Sequence, residues 1–89
     1  MIERSILIRN KLGLHARAAV KFVNTANRFG ADVLVIKDGN AIDGKSILGI
    51  LTLAATQGSA IRLRVEGADE AAACQALVEL IDARFGEKE

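Results

Sequence analysis

Residues 33–43 read VLVIKDGNAID. Two strand-like runs flank Asp38-Gly39. A type I′ turn needs positive φ at both of its central residues, and Asp-Gly tolerates that better than most pairs. The stretch therefore predicts a tight antiparallel hairpin.

Upstream of the hairpin, residues 2–9 (IERSILIR) are strand-like, with Ile6 and Ile8 on one side of the pleat. Asn10 to Gly13 reads as a loop. From Ala16 to Phe29 the period is helical: Ala19, Phe22, Val23 and Ala26 make an apolar stripe, while Lys21, Asn24, Thr25 and Arg28 make a wet one. Gly30 is a natural stop. Downstream, Gly44 and Lys45 lead into a second helix, SILGILTLAA, with Ser46 as its N-cap and Gly58 past its end. Residues 60–66 alternate, with Ile61, Leu63 and Val65 inward and Arg62, Arg64 and Glu66 outward. Asp69 is placed to cap the last helix, EAAACQALVELIDARF, whose stripe is Ala73, Leu77, Leu80 and Ile81; Gly86 follows it. The order β-α-β-β-α-β-α predicts a single α+β domain over residues 1–89, with three helices on one face of a four-stranded, mostly antiparallel sheet.

The bulk numbers exclude several function classes. Hydrophobic residues make up 51% of the 89, enough for a small core. The formal net charge is +1, Tyr and Trp are absent, and the basic residues are scattered. Neither a nucleic-acid stripe nor a base-stacking platform is indicated. No run approaches the roughly 18 apolar residues that a membrane span needs. One cysteine, Cys74, permits no internal disulfide, which fits a reducing, cytoplasmic setting. Cys74 lies among alanines and reads as a structural thiol. No phosphate-binding G-x-x-x-x-G-K-[ST] loop and no G-x-G-x-x-G is present. One His and one Cys cannot build a standard four-ligand zinc site, so no metal and no cofactor is expected.

The one histidine carries the functional signal. It stands in GLHARAA, residues 13–19, where loop becomes helix. Gly13 lets the chain turn sharply. His15 then sits at or beside the N-cap, with Ala16, Arg17 and Ala18 as the first helical residues. Their N–H groups lack carbonyl partners within the helix, and the helix end carries partial positive charge. Such an end suits phosphate, and Arg17 adds a guanidinium that grips phosphate oxygens in pairs. The same positive surroundings favour the neutral, nucleophilic imidazole over imidazolium. A histidine that takes up a phosphoryl group and hands it on fits this arrangement. A histidine that merely caps the helix fits the spacing about as well. Without a nucleotide site, donor and acceptor would be other proteins.

GLHARAA resembles the active-site motif of HPr, the histidine-containing phosphocarrier family of the phosphoenolpyruvate-dependent phosphotransferase system. GKSILGILTLAA and EGADEAAACQALVELI match further blocks of that family at the right separations. The resemblance implies an open-faced β-sandwich in the order given above. It implies that enzyme I phosphorylates His15 at Nδ1, that Arg17 and the helix amides hold the phosphoryl group, and that an enzyme IIA domain receives it. Such a protein is a carrier and not an independent enzyme. Where the family usually has proline after the arginine, this chain has Ala18. The resemblance also makes Ser46 a regulatory phosphorylation site in some bacteria, with an HPr serine kinase/phosphorylase as a further partner. Its other implication is a docking patch of Ile47, Leu48 and Leu51, rimmed by Lys21 and Lys45 for acidic partners. The small patch suggests a monomer. Two alternatives stand beside the sugar-uptake role: a regulatory, nitrogen-branch carrier, and a non-catalytic interaction domain in which His15 is a structural cap.

Overall fold

The hairpin forms as its sequence predicts. In the computed structural model, which describes residues 1–88, β2 (Asp32–Lys37) and β3 (Asn40–Asp43) pair antiparallel, with Lys37 opposite Asn40. Asp38 and Gly39 between them have φ of 52° and 83°, the doubly left-handed geometry of a type I′ turn. On the other side β2 pairs with β4 (Ala60–Glu66), Val35 opposite Leu63, and β4 pairs with β1 (Ile2–Leu7), Ile6 opposite Ile61. The strand order is β1-β4-β2-β3 and every neighbouring pair is antiparallel. Alternation decides which face is wet. Ile61, Leu63 and Val65 are buried while Arg62 between them is exposed.

Three helices complete the open sandwich: α1 (Ala16–Ala26), α2 (Ile47–Thr52) and α3 (Glu70–Asp82), followed by a 3-10 turn at Arg84–Gly86. The α1 stripe of Ala19, Phe22, Val23 and Ala26 is buried as its period requires. In α3 the buried stripe is Ala73, Cys74, Leu77 and Ile81, with Leu80 only partly covered at its border. The free thiol of Cys74 is buried. Phe22 and Phe85 are the bulkiest fully enclosed side chains. Burying such a ring contributes roughly 1.5–3 kcal/mol.

Several element ends differ from the sequence-based expectation. Helix α1 stops at Ala26, not Phe29, because Asn27 turns its amide onto the Val23 carbonyl and the next N–H groups bond only three residues back. Gly30 is therefore not the stop. Helix α2 stops at Thr52, and Ala54 takes a φ of 50° that no α-helix continues through. Helix α3 stops at Asp82, because Arg84 and Phe85 adopt positive φ (56° and 55°) that drops the Phe85 ring into the core. Asp69 stands at the head of α3 but does not cap it. Its carboxylate instead accepts from the Gly30 and Ala31 amides (2.9 and 2.8 Å), tying the head of α3 to the entrance of β2. Among the described residues, no helix is long and apolar enough to cross a membrane.

Candidate functional site

The loop before α1 is held by backbone contacts that only its own residues permit. Leu14 N–H donates to the Ala55 carbonyl (2.9 Å), and Gly13 N–H to that of Asn10 (3.1 Å). Gly13 has φ of +66°, and a Cβ there would lie 2.3 Å from the Ala55 oxygen. No L side chain fits that close approach. The loop thus delivers His15 to the N-cap in extended conformation (φ −76°, ψ 179°).

The His15 ring lies across the start of the helix. The Arg17 N–H donates to Nδ1 at 3.3 Å. Nδ1 therefore bears a lone pair and the ring proton sits on Nε2, a tautomer assigned from the hydrogen-bond pattern. That Nε2–H donates to one carboxylate oxygen of Glu87. The other Glu87 oxygen accepts from the Asn10 side-chain amide at 3.0 Å, and the same amide donates to the Gly13 carbonyl at 2.8 Å. The His15 side chain remains 27% exposed, so an incoming anion can reach it. It opens into a cleft of about 780 Å³ lined by Lys11, Leu12, Ala16, Arg17, Glu87 and Lys88 as well. The hydrogen bond from His15 holds the Glu87 carboxyl below the usual carboxylate range; partial burial opposes this, and the Asn10 amide adds to it.

Of the residues expected to hold phosphate, Ala16 and Arg17 are exposed and line the cleft. Ala18 does not. It is fully buried, its methyl inside the core, so its amide has no access to an anion in this conformation. Ser46 caps α2, its Oγ accepting from Gly49 N–H at 3.1 Å. The apolar residues of α2 and its end divide between two sides. Ile50 and Leu53 point into the core, while Ile47, Leu48 and Leu51 are 37%, 74% and 36% exposed. Both lysines of the expected rim have intramolecular tasks. Lys21 Nζ donates to the Phe85 carbonyl at 2.5 Å and Lys45 Nζ to that of Phe29 at 2.9 Å. Glu87 and Asn10 were not expected at the site. Glu87 lies 72 positions from His15, beyond any local signal; Asn10 lies in the same loop, and its side chain bonds the Gly13 carbonyl three residues on.

Known proteins give this geometry its setting. The family model described as the PTS HPr component phosphorylation site matches residues 2–83. The chain belongs to the HPr family of phosphocarriers. It is 52% identical to the phosphocarrier protein HPr of Neisseria meningitidis, with all of both chains covered. The structure of HPr-C-His from Thermoanaerobacter tengcongensis superposes with a TM-score of 0.97 at 47% identity, again with both chains fully covered. A structure of an HPr dimer from the same organism matches with a TM-score of 0.79 at 48% identity, covering 98% of this chain and 100% of that one. The expectation of a monomer therefore has no support from these relatives. As a member of the HPr family, the protein is a phosphocarrier of the phosphotransferase system.

Proposed function

We propose that His15 Nδ1 accepts the phosphoryl group from phospho-enzyme I and passes it to an enzyme IIA domain. The observation that carries this reading is the Nδ1 lone pair, held at a helix start by the Arg17 amide in an open cleft. When Nδ1 binds phosphorus, that amide loses its acceptor and is free to donate to a phosphoryl oxygen. The helix end and the Arg17 guanidinium add positive charge around the incoming oxygens. A cap alone would not need the ring to face a cleft. Incubation with enzyme I and phosphoenolpyruvate should give an acid-labile phosphate on the wild type and none on His15→Ala. Label retained by His15→Ala would overturn the assignment.

The exposed Ile47, Leu48 and Leu51 are the docking surface in this reading, and they adjoin Ser46. Phosphorylation of Ser46 by an HPr serine kinase/phosphorylase would add a charge of about −1.5 to −2 beside that surface. At a helix N-terminus the added charge leaves the fold intact. Against an acidic partner it weakens docking and slows transfer to His15. The proposed setting is the cytoplasm, where enzyme I and enzyme IIA domains would be met.

A further inference from the structure

Phosphoryl transfer at Nδ1 uses one side of the imidazole; Glu87 occupies the other. Glu87 sits on Nε2, opposite the reacting nitrogen, and it is well seated. Its side chain is only 16% exposed. Asn10, fully buried, donates to its second oxygen, and among the described residues the Asn10 Oδ1 has no partner. A buried polar atom left unpaired is costly, so this amide is held where it is by its two donor bonds. The chain just before Glu87 is fixed by the buried Phe85 ring and by Lys21 on the Phe85 carbonyl. Among the described residues lining the cleft, Glu87 is the only acid; Lys11, Arg17 and Lys88 are cations.

We propose that Glu87 is a positioning residue for phosphoryl transfer. It keeps the proton on Nε2, so that Nδ1 is the nucleophile, and supplies the counter-charge for the imidazolium that transfer creates. The inference rests on His15 as the acceptor. In the step itself the Nδ1 lone pair forms the N–P bond. The bond from phosphorus to the donor atom breaks, and its electron pair returns to the donor. The Nε2 proton stays in place throughout. The ring gains one positive charge as the lone pair is used, and that charge appears against the Glu87 carboxylate. A carboxylate on the far nitrogen of a reacting histidine does the same two things in hydrolase triads: it selects the tautomer and stabilises the imidazolium. Here the positive surroundings that suit the phosphoryl oxygens would otherwise oppose the charged ring, and Glu87 removes that conflict.

The test compares wild type, Glu87→Gln and Glu87→Ala. Nitrogen-15 NMR of the unphosphorylated proteins reads the His15 tautomer, and rapid-quench uptake from phospho-enzyme I reads the rate. In the wild type the proton should lie on Nε2. In Glu87→Ala both tautomers should be populated, and uptake should slow by at least about tenfold, the low end of the loss when a partner orienting a metal-bound histidine is removed. Glu87→Gln carries one oxygen and one NH2; the Asn10 amide, a donor, claims the oxygen, so the NH2 faces Nε2, the proton should move to Nδ1, and uptake should slow at least as much as in Glu87→Ala. An unchanged rate in Glu87→Ala overturns the proposal, as does a slower rate with an unchanged tautomer. If His15→Ala takes up label as the wild type does, the acceptor is wrong; the tautomer measurement still judges the Glu87 contact separately.

Discussion

Helix α1 starts at His15 and helix α2 at Ser46, and each side chain accepts a hydrogen bond from an amide of the turn it opens. Both residues are extended at the cap. The supports around them differ. The Ser46 cap is complete within residues 43–49: its Oγ takes the Gly49 amide, and Asp43 takes the amides of Ser46 and Lys45 through its carbonyl and carboxylate. His15 draws on distant parts of the chain: Ala55 fixes the loop, Asn10 ties the loop to Glu87, and Glu87 fixes the ring. Serine is a good cap on its own account, and histidine is not among the favoured cap residues. A helix that begins with histidine and surrounds it with remote partners is built around the ring and not around the cap.

The sharpest way to break this comparison is to remove the distant support at its root. Phe85→Ala deletes a fully buried ring and should destabilise the protein by about 3–5 kcal/mol in urea unfolding. It should also release Glu87 from His15, seen as a change in the His15 ring signals at denaturant-free conditions where the fold persists. The Ser46 cap should be untouched, with Gly49 amide protection unchanged relative to its neighbours. A loss below about 1 kcal/mol would mean that the 3-10 turn is not an anchor of the core.

A smaller effect is expected at the other helix. Ser46→Ala removes one cap hydrogen bond and should cost about 1 kcal/mol of stability. Uptake of phosphate at His15 should remain close to wild type in this variant, because no contact of the His15 ring passes through Ser46. A large drop in uptake would join the two helix starts into one functional unit and undo the distinction drawn between them.

The contrast also explains what the sequence disclosed. The hairpin was legible because Asp38-Gly39 is a local signal with a local cause. The order of elements and the Ser46 cap are legible for the same reason, whereas the exposure of Ile47, Leu48 and Leu51 follows only from the family resemblance. The end of α3 was not. Phe85 stands four residues after Ile81 and so continues the helical period, yet it reaches the core through a positive φ that periodicity cannot register. Asp69 precedes a helical run and looks like a cap, but the Gly30 and Ala31 amides across the fold compete for it and win. At the site, His15 and Arg17 were visible as residue types at a helix start. Ala18 reads as a phosphate-site residue from its place in the first turn, yet its side chain is fully buried. Glu87 enters only through tertiary contact, and its charge is opposite in sign to that of Arg17 and the helix end.

Asp69 offers the finest distinction, because it is a third helix start in which the side chain serves a neighbour instead of its own helix. The Gly30 amide, then partial desolvation acting against it, then the Ala31 amide govern its carboxyl, which is held below its ordinary value of 3.8. A carboxyl depressed in the folded state stabilises the fold above its unfolded value and ceases to do so as pH falls through the lower, folded one. The contribution of Asp69 should therefore be constant above about pH 5 and fade in the acid range below 3.8. Glu70, depressed by the Met1 ammonium, and Glu87, depressed by His15, titrate in the same acid region. The informative quantity is thus the difference in urea midpoint between wild type and Asp69→Asn, followed from pH 7 down to pH 2 on the carboxylate scale. An asparagine side chain presents one oxygen to two amides, so the variant should be the weaker protein at neutral pH, and the gap should narrow on acidification. A gap that stayed constant to the lowest pH would show that the Asp69 charge does nothing for the junction between α3 and β2, leaving its shape alone to hold the two together.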